Sequence, residues 1–138
     1  MNFPIGELSK RTRVKVPTIR FYEQIGLLPE PPRTESNQRR YGKAEAERLN
    51  FIRHSRELGF EVEDIRTLLA MTAEPQASCH QADSIARSHL SEIDRRIASL
   101  QALKGELTRM IEECGHGRIC DCRIIEALAD HSHCSTEH

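Results

Sequence analysis

The sequence contains no tryptophan, and its aromatic side chains are limited to two tyrosines and four phenylalanines in 138 residues. A chain this poor in large rings cannot build its core on aromatic packing. Burial falls to Leu and Ile, which suit helices packed on helices. No apolar run approaches the roughly 20 residues needed to cross a bilayer, and Lys10, Arg11 and Arg13 are not joined to a hydrophobic stretch of the kind a targeting signal carries. The expectation is a soluble, cytoplasmic protein with no membrane partner. No grouping of nucleophile, base and pocket residues stands out, so an enzyme is not expected. Nor does an odd count of five cysteines make a closed disulfide framework. In a reducing compartment such thiols are more readily metal ligands or redox groups than staples.

The net charge of −1 hides an asymmetry. Residues 1–70 hold 13 Lys and Arg against 10 Asp and Glu, whereas residues 71–138 hold 7 against 11. Residues 10–43 are the most basic part, with 9 basic against 3 acidic side chains, as a surface that neutralises phosphates requires.

Pro4 suits a first helical turn, and Ile5 and Leu8 share a face, so a short helix is expected over residues 4–10. Pro17 opens a second helix that places Ile19, Tyr22 and Ile25 on one side and leaves Thr18, Arg20 and Glu23 for solvent or a ligand; Gly26 ends it. Two short helices joined by a tight turn make a helix-turn-helix, whose second member presents its first residues to the major groove. Pro29, Pro31 and Pro32 forbid helix, and the turn formers Thr34, Ser36 and Asn37 between Arg33, Arg39 and Arg40 predict a small β-hairpin wing. A third helix follows through Leu49, Ile52 and Leu58 to Gly59, and a fourth carries Val62, Ile65, Leu68 and Leu69. Residues 73–78 read as a linker.

From Ala86 the apolar positions step by four and three through Leu90, Ile93, Ile97, Leu100, Leu107 and Ile111 to Cys114, with one break at Lys104. A seam this narrow seeks a partner helix, and a homodimer is expected. The seam runs into Cys114-Gly-His116-Gly-Arg-Ile-Cys120-Asp-Cys122, where three thiols and an imidazole fall within nine residues. The glycines let the loop fold back and aim Cys114 and Cys122 at one point. Such a pair suits a soft or borderline ion such as zinc, cadmium, lead, mercury or copper(I). Ile124, Ile125 and Leu128 then form a small helix, and His131, His133 and Cys134 lie in a polar tail. The fold class is therefore mainly α. The expected units are a winged helix-turn-helix DNA-binding domain (1–75), a dimerisation helix (76–113), a metal-binding loop with a short helix (114–130) and a His/Cys tail (131–138).

With these elements in place, the sequence resembles the MerR family of metal-responsive transcription regulators. The resemblance rests on Ile5-Gly-Glu-Leu-Ser, Pro17-Thr-Ile-Arg-Phe-Tyr-Glu23, Gly26-Leu-Leu-Pro29, Arg39-Arg-Tyr41, Phe51-Ile-Arg, Leu58-Gly-Phe and Asp64-Ile-Arg-Thr-Leu-Leu. Arg13 stands where the family commonly has a turn glycine, and Glu61 where a Ser or Thr usually caps the fourth helix. The resemblance implies that Thr18, Arg20, Tyr22, Arg39 and Tyr41 contact DNA, and that the partners are double-stranded promoter DNA, a second copy of the chain and RNA polymerase at the promoter. It also implies a metal site of Cys114 and Cys122 completed by Cys79 from the opposite protomer, Cys79 being the position that separates sensors of divalent ions from those of copper(I)-type ions. The cofactor so implied is a divalent metal ion, namely zinc, cadmium or lead, with mercury also admitted. His116 and Cys120 are further candidate ligands. Two alternatives stay open: a thiol redox switch of the same fold, and a zinc-stabilised DNA-binding module without sensing.

Overall fold

Pro4, in extended backbone, serves as the N-cap of helix α1 (Ile5–Thr12). Glu7 in the first turn and Lys10 and Arg11 in the last complement the helix dipole, and Arg11 Nε donates to Glu7 Oε2 at 3.0 Å. The helix runs two residues past the expected end because Thr12 is buried and donates its hydroxyl to the Leu8 carbonyl at 2.8 Å. Arg13 then turns the chain with φ 60°, the one left-handed non-glycine residue among those described. Helix α2 (Val16–Gln24) has Pro17 in its first turn, buries Ile19 and Tyr22, and is followed by Gly26 at φ 77°. A Cβ at Gly26 would come no nearer than 3.7 Å to Arg66, so conformation rather than crowding demands glycine there.

The structure, a computed structural model, describes residues 2–36, 38–114 and 122–129. After α2 come α3 (Lys43–Glu57), α4 (Val62–Met71), α5 (His80–Glu112) and α6 (Arg123–Leu128). The chain divides into two units between Ile85 and Ala86, inside α5. Among the described residues no helix is long and apolar enough to cross a membrane.

The first unit closes around Leu8, Ile19, Leu27, Leu28, Tyr41, Leu49, Ile52 and Ile65, all with no exposed surface. Full burial of each aliphatic member contributes about 1.5–3 kcal/mol. Two arginines lock α2 in place: Arg48 Nε on α3 donates to the Leu27 carbonyl at 2.9 Å, and Arg66 Nη2 on α4 to the Ile25 carbonyl at 3.0 Å. Both acceptors lie just past the C-terminal end of α2, a position at which a cation is favoured.

The expected hairpin wing is reduced to isolated bridges among the described residues. Arg33 pairs with Arg39, and Tyr41 pairs with Phe3 through N–H to carbonyl bonds of 2.7 and 2.8 Å. Pro31 and Pro32 supply no N–H to extend a ladder beyond Arg33, so pairing stops after one rung.

In the second unit, α5 exposes Leu90, Ile97, Leu100, Leu103, Leu107 and Ile111, each about half accessible, and buries Met110. The exposed positions follow the heptad seam, with Leu103 beside the break at Lys104. At the start of α4, Glu61 occupies the N-cap in extended conformation without a side-chain hydrogen bond to the helix. Its longer carboxylate leaves amides that a hydroxyl would satisfy. Glu61→Ser is expected to stabilise the protein by about 0.5–1 kcal/mol, read as a raised urea midpoint with an unchanged slope.

Candidate nucleic-acid interface and metal centre

Two clefts with basic walls flank α2 in the first unit. One, of about 550 Å³, is lined by Pro4, Ile5, Arg20, Arg33, Gln38 and Arg39. The other, of about 380 Å³, includes Arg13, Lys15, Thr18, Tyr22, Arg53 and Arg56. Arg20 is exposed, Thr18 is half-buried, and Tyr22 is largely buried with an edge in the second cleft. Guanidinium groups on both sides of a helix are suited to phosphate oxygens of a duplex that receives that helix in its groove.

Arg39 and Tyr41 behave differently from the surface residues expected of them. Tyr41 has no exposed surface and donates its hydroxyl to Glu23 Oε2 at 2.6 Å. Burial, and then the hydrogen bond to Glu23, push the phenol well above its usual pKa, so it remains a donor. The other Glu23 oxygen, Oε1, receives Arg39 Nη1 at 3.1 Å. Burial works against the Arg39 charge, but Glu23, Tyr41 and Glu30 outweigh it and raise its pKa. Arg39 Nη2 reaches Glu30 Oε1 at 3.2 Å, and Arg33 Nη2 meets the same oxygen at 3.1 Å. Glu23, which the sequence leaves for solvent or a ligand, has a side chain only 6% exposed. The spacing carried the signal, since Glu23 lies four residues beyond buried Ile19 and shares its face.

In the second unit, Cys114 Sγ and Cys122 Sγ lie 3.8 Å apart, both half-buried and both reduced. Cys122 immediately precedes α6. The amide groups of Ile125 and Ile124 hold its thiol below the usual pKa, with a smaller contribution from Cys114 and against a cost of burial. Two sulfurs bonded to one ion at about 2.3 Å stand about 3.8 Å apart at a tetrahedral angle and about 4.6 Å apart in a line. The observed spacing thus fits a tetrahedral donor pair without rearrangement, and soft thiolates fit a thiophilic ion. Among the described residues no third ligand completes the group. His116 and Cys120, like the tail residues His131, His133 and Cys134, lie outside the described residues. Cys79 belongs to the first unit, where it is exposed; its carbonyl accepts the Asp83 amide at 3.0 Å as α5 begins. It borders a groove of about 400 Å³ lined in part by Phe51, Leu68 and Met71.

A helix-turn-helix head with basic clefts, followed by a long helix and a thiol pair, defines a DNA-binding regulator rather than an enzyme. A family model described as MerR HTH family regulatory protein matches residues 3–72, and one described as MerR, DNA binding matches residues 46–110. The chain belongs to the MerR family of DNA-binding transcription regulators. It is 39% identical over 128 residues to heavy metal-dependent transcription regulator 2 of Rhizobium meliloti, covering 93% of this chain and 87% of that one. It is 38% identical over 130 residues to the HTH-type transcriptional regulator ZntR of Escherichia coli K12, covering 91% and 92%. Among solved structures it resembles the transcription regulator PbrR691 of Ralstonia metallidurans CH34 in complex with lead(II), with a TM-score of 0.81, 35% identity, and coverage of 92% and 99%.

The buried hydroxyl of Tyr41 positions Glu23 from within the head. Tyr41→Phe leaves a carboxylate oxygen without its donor and is expected to cost about 1.5–3 kcal/mol in urea unfolding. The slope of log affinity for duplex DNA against log salt is expected to stay unchanged, whereas loss of a phosphate contact makes it shallower by about one.

Proposed function

We propose that the protein is a homodimeric metal-responsive regulator that binds promoter DNA through α2 and the wing and takes a divalent thiophilic ion at Cys114 and Cys122 together with Cys79 of the opposite protomer. The observation that carries this reading is the 3.8 Å spacing of the two sulfurs. It puts two thiols within reach of one ion, and a divalent ion takes further donors that a monovalent soft ion does not need. Zinc, cadmium and lead are the candidate inducers, with mercury as a further one. The metals named for the relatives, lead for PbrR691 and heavy metals for the Rhizobium regulator, agree with this class.

The dimer supplies the missing donor. Cys79 precedes α5 and Cys114 follows it, and a continuous helix of 33 residues is about 50 Å long. In an antiparallel pair of such helices the start of each lies beside the end of the other. The exposed seam of α5 supports that pairing, because it presents a row of half-accessible Leu and Ile side chains at heptad spacing. His116 and Cys120 remain candidate additional donors. A bound dication supplies the charge that thiolates need for close approach. Cys122, with its lowered pKa, provides a thiolate readily, and Cys114 stands ready as its neighbour.

On DNA, Thr18, Arg20 and the edge of Tyr22 face the groove while Arg39 engages the backbone from the wing. A dimer of such heads straddles a pseudo-palindrome, and the energy of distorting the promoter between them contributes to specificity and to presenting the promoter to RNA polymerase. The regulated genes in this reading are those of metal resistance or efflux.

Complementation between protomers tests the shared site. Cys79→Ser alone, or Cys114→Ser with Cys122→Ser, is expected to weaken zinc or cadmium binding by more than about a hundredfold, beyond the 10- to 100-fold that an outer partner contributes. A mixture of the two variants, re-formed as heterodimers, is expected to regain one tight site per dimer. Full metal response in a reporter with all three cysteines replaced, or no recovery in the mixture, overturns the reading. Loss of free thiols after mild peroxide, coupled to altered DNA affinity with no metal present, transfers it to the redox switch.

A further inference from the structure

Glu30 pairs with two of the arginines that line the larger of the two basic clefts. Its Oε1 accepts from Arg33 Nη2 at 3.1 Å and from Arg39 Nη2 at 3.2 Å. The two guanidiniums that line the cleft beside Arg20 are thus bridged by a single carboxylate atom. The Glu30 side chain is 56% exposed, in contrast to the 6% of Glu23 on the same arginine. Glu23 is fixed by Tyr41 and holds Nη1 from inside the head, while Glu30 holds Nη2 from the solvent side.

We infer that Glu30 is an affinity-setting residue: a built-in competitor for phosphate that must release Arg33 and Arg39 before the wing grips DNA. The inference rests on the reading of the wing arginines as backbone contacts. Carboxylate and phosphate oxygens are both anionic acceptors for a guanidinium fork, and one acceptor atom shared by two forks occupies the site a phosphate oxygen needs. Exposed ion pairs are weak, so the carboxylate can be exchanged for a phosphate; the buried Glu23 pair is not exposed to that exchange and keeps Arg39 in place throughout. Releasing Glu30 also leaves a negative charge close to the DNA, which offsets part of the counterion release gained by the arginines.

The test uses the full-length protein, without added metal, and a short DNA duplex of arbitrary sequence, because phosphate contacts do not depend on sequence. Glu30→Gln is expected to bind about three- to tenfold more tightly at fixed salt, with a log–log salt slope steeper by up to about one. Glu35→Gln, which removes the same charge from the same exposed loop, is expected to give less than half that gain in log affinity. In an Arg33→Ala, Arg39→Ala background the effect of Glu30→Gln is expected to vanish. Equal gains from Glu30→Gln and Glu35→Gln, or a gain that survives without the two arginines, overturn the inference in favour of general charge repulsion. No gain from Glu30→Gln, where Arg33→Ala with Arg39→Ala does weaken binding, overturns it while the wing contacts stand. If the double arginine variant binds as the parent does, the reading of the wing itself falls, and the inference with it. Arg39 also holds buried Glu23, so thermal unfolding first establishes that the variants carrying Arg39→Ala are folded; where they are not, Arg33→Ala alone is the background, in which the effect of Glu30→Gln is expected to fall.

Discussion

A buried carboxylate organises the DNA-binding head. Glu23 is the point at which α2, the wing and the strand-like segment after it are tied together, through Tyr41 on one oxygen and Arg39 on the other. An anion with so little access to water is tolerated only when its lone pairs are occupied, and here a phenol and a guanidinium occupy them. Tyr41 is in turn fixed at both ends, by its backbone bridge to Phe3 and by full burial of its ring. The wing has almost no ladder of its own, so this side-chain network substitutes for the hydrogen bonds that three prolines forbid.

Arginine serves the head in two ways, and the geometry separates them. Arg48 and Arg66 turn inward to carbonyls at the end of α2 and act as mortar between helices. Arg20, Arg33, Arg53 and Arg56 border open clefts on either side of the same helix. Arg39 belongs to both groups, one nitrogen held by a buried acid and another by an exposed one. A basic count over residues 1–70 cannot make this division, because formal charge is the same whether a guanidinium faces a carbonyl or a phosphate.

The helices were legible in the sequence because their signals are local. Pro4 and Pro17 mark starts, Gly26 and Gly59 mark ends, and the apolar spacing at Ile19, Tyr22, Ile65 and Leu69 agrees with the buried faces. What was not legible depends on partners distant in sequence. Tyr41 reads as a wing residue with an available hydroxyl until Glu23, 18 positions away, takes it. The burial of Glu23 follows from its place on the face of Ile19, but the identity of the groups that take its two oxygens, Tyr41 and Arg39, does not. The extension of α1 to Thr12 likewise turns on a hydroxyl that satisfies itself against Leu8, something a polarity pattern scores as an exposed residue.

The thiol pair shows how far a spacing can constrain chemistry before a metal is named. Seven intervening residues, with glycine on either side of His116, say only that Cys114 and Cys122 can meet. The distance at which they meet says more. At 3.8 Å the sulfurs are well beyond bonding to each other, in contact as two thiols, and close enough for both to reach one ion. A tetrahedral angle at an ion leaves the remaining vertices open, and a divalent ion held by two thiolates in a half-buried site gains from every further donor. The exposed Cys79 at the opposite end of α5, beside an apolar groove, has the chemistry to be such a donor from a second chain. In the proposed dimer, one pairing of helices answers both features, covering the exposed seam of α5 and bringing Cys79 of one chain to the thiol pair of the other.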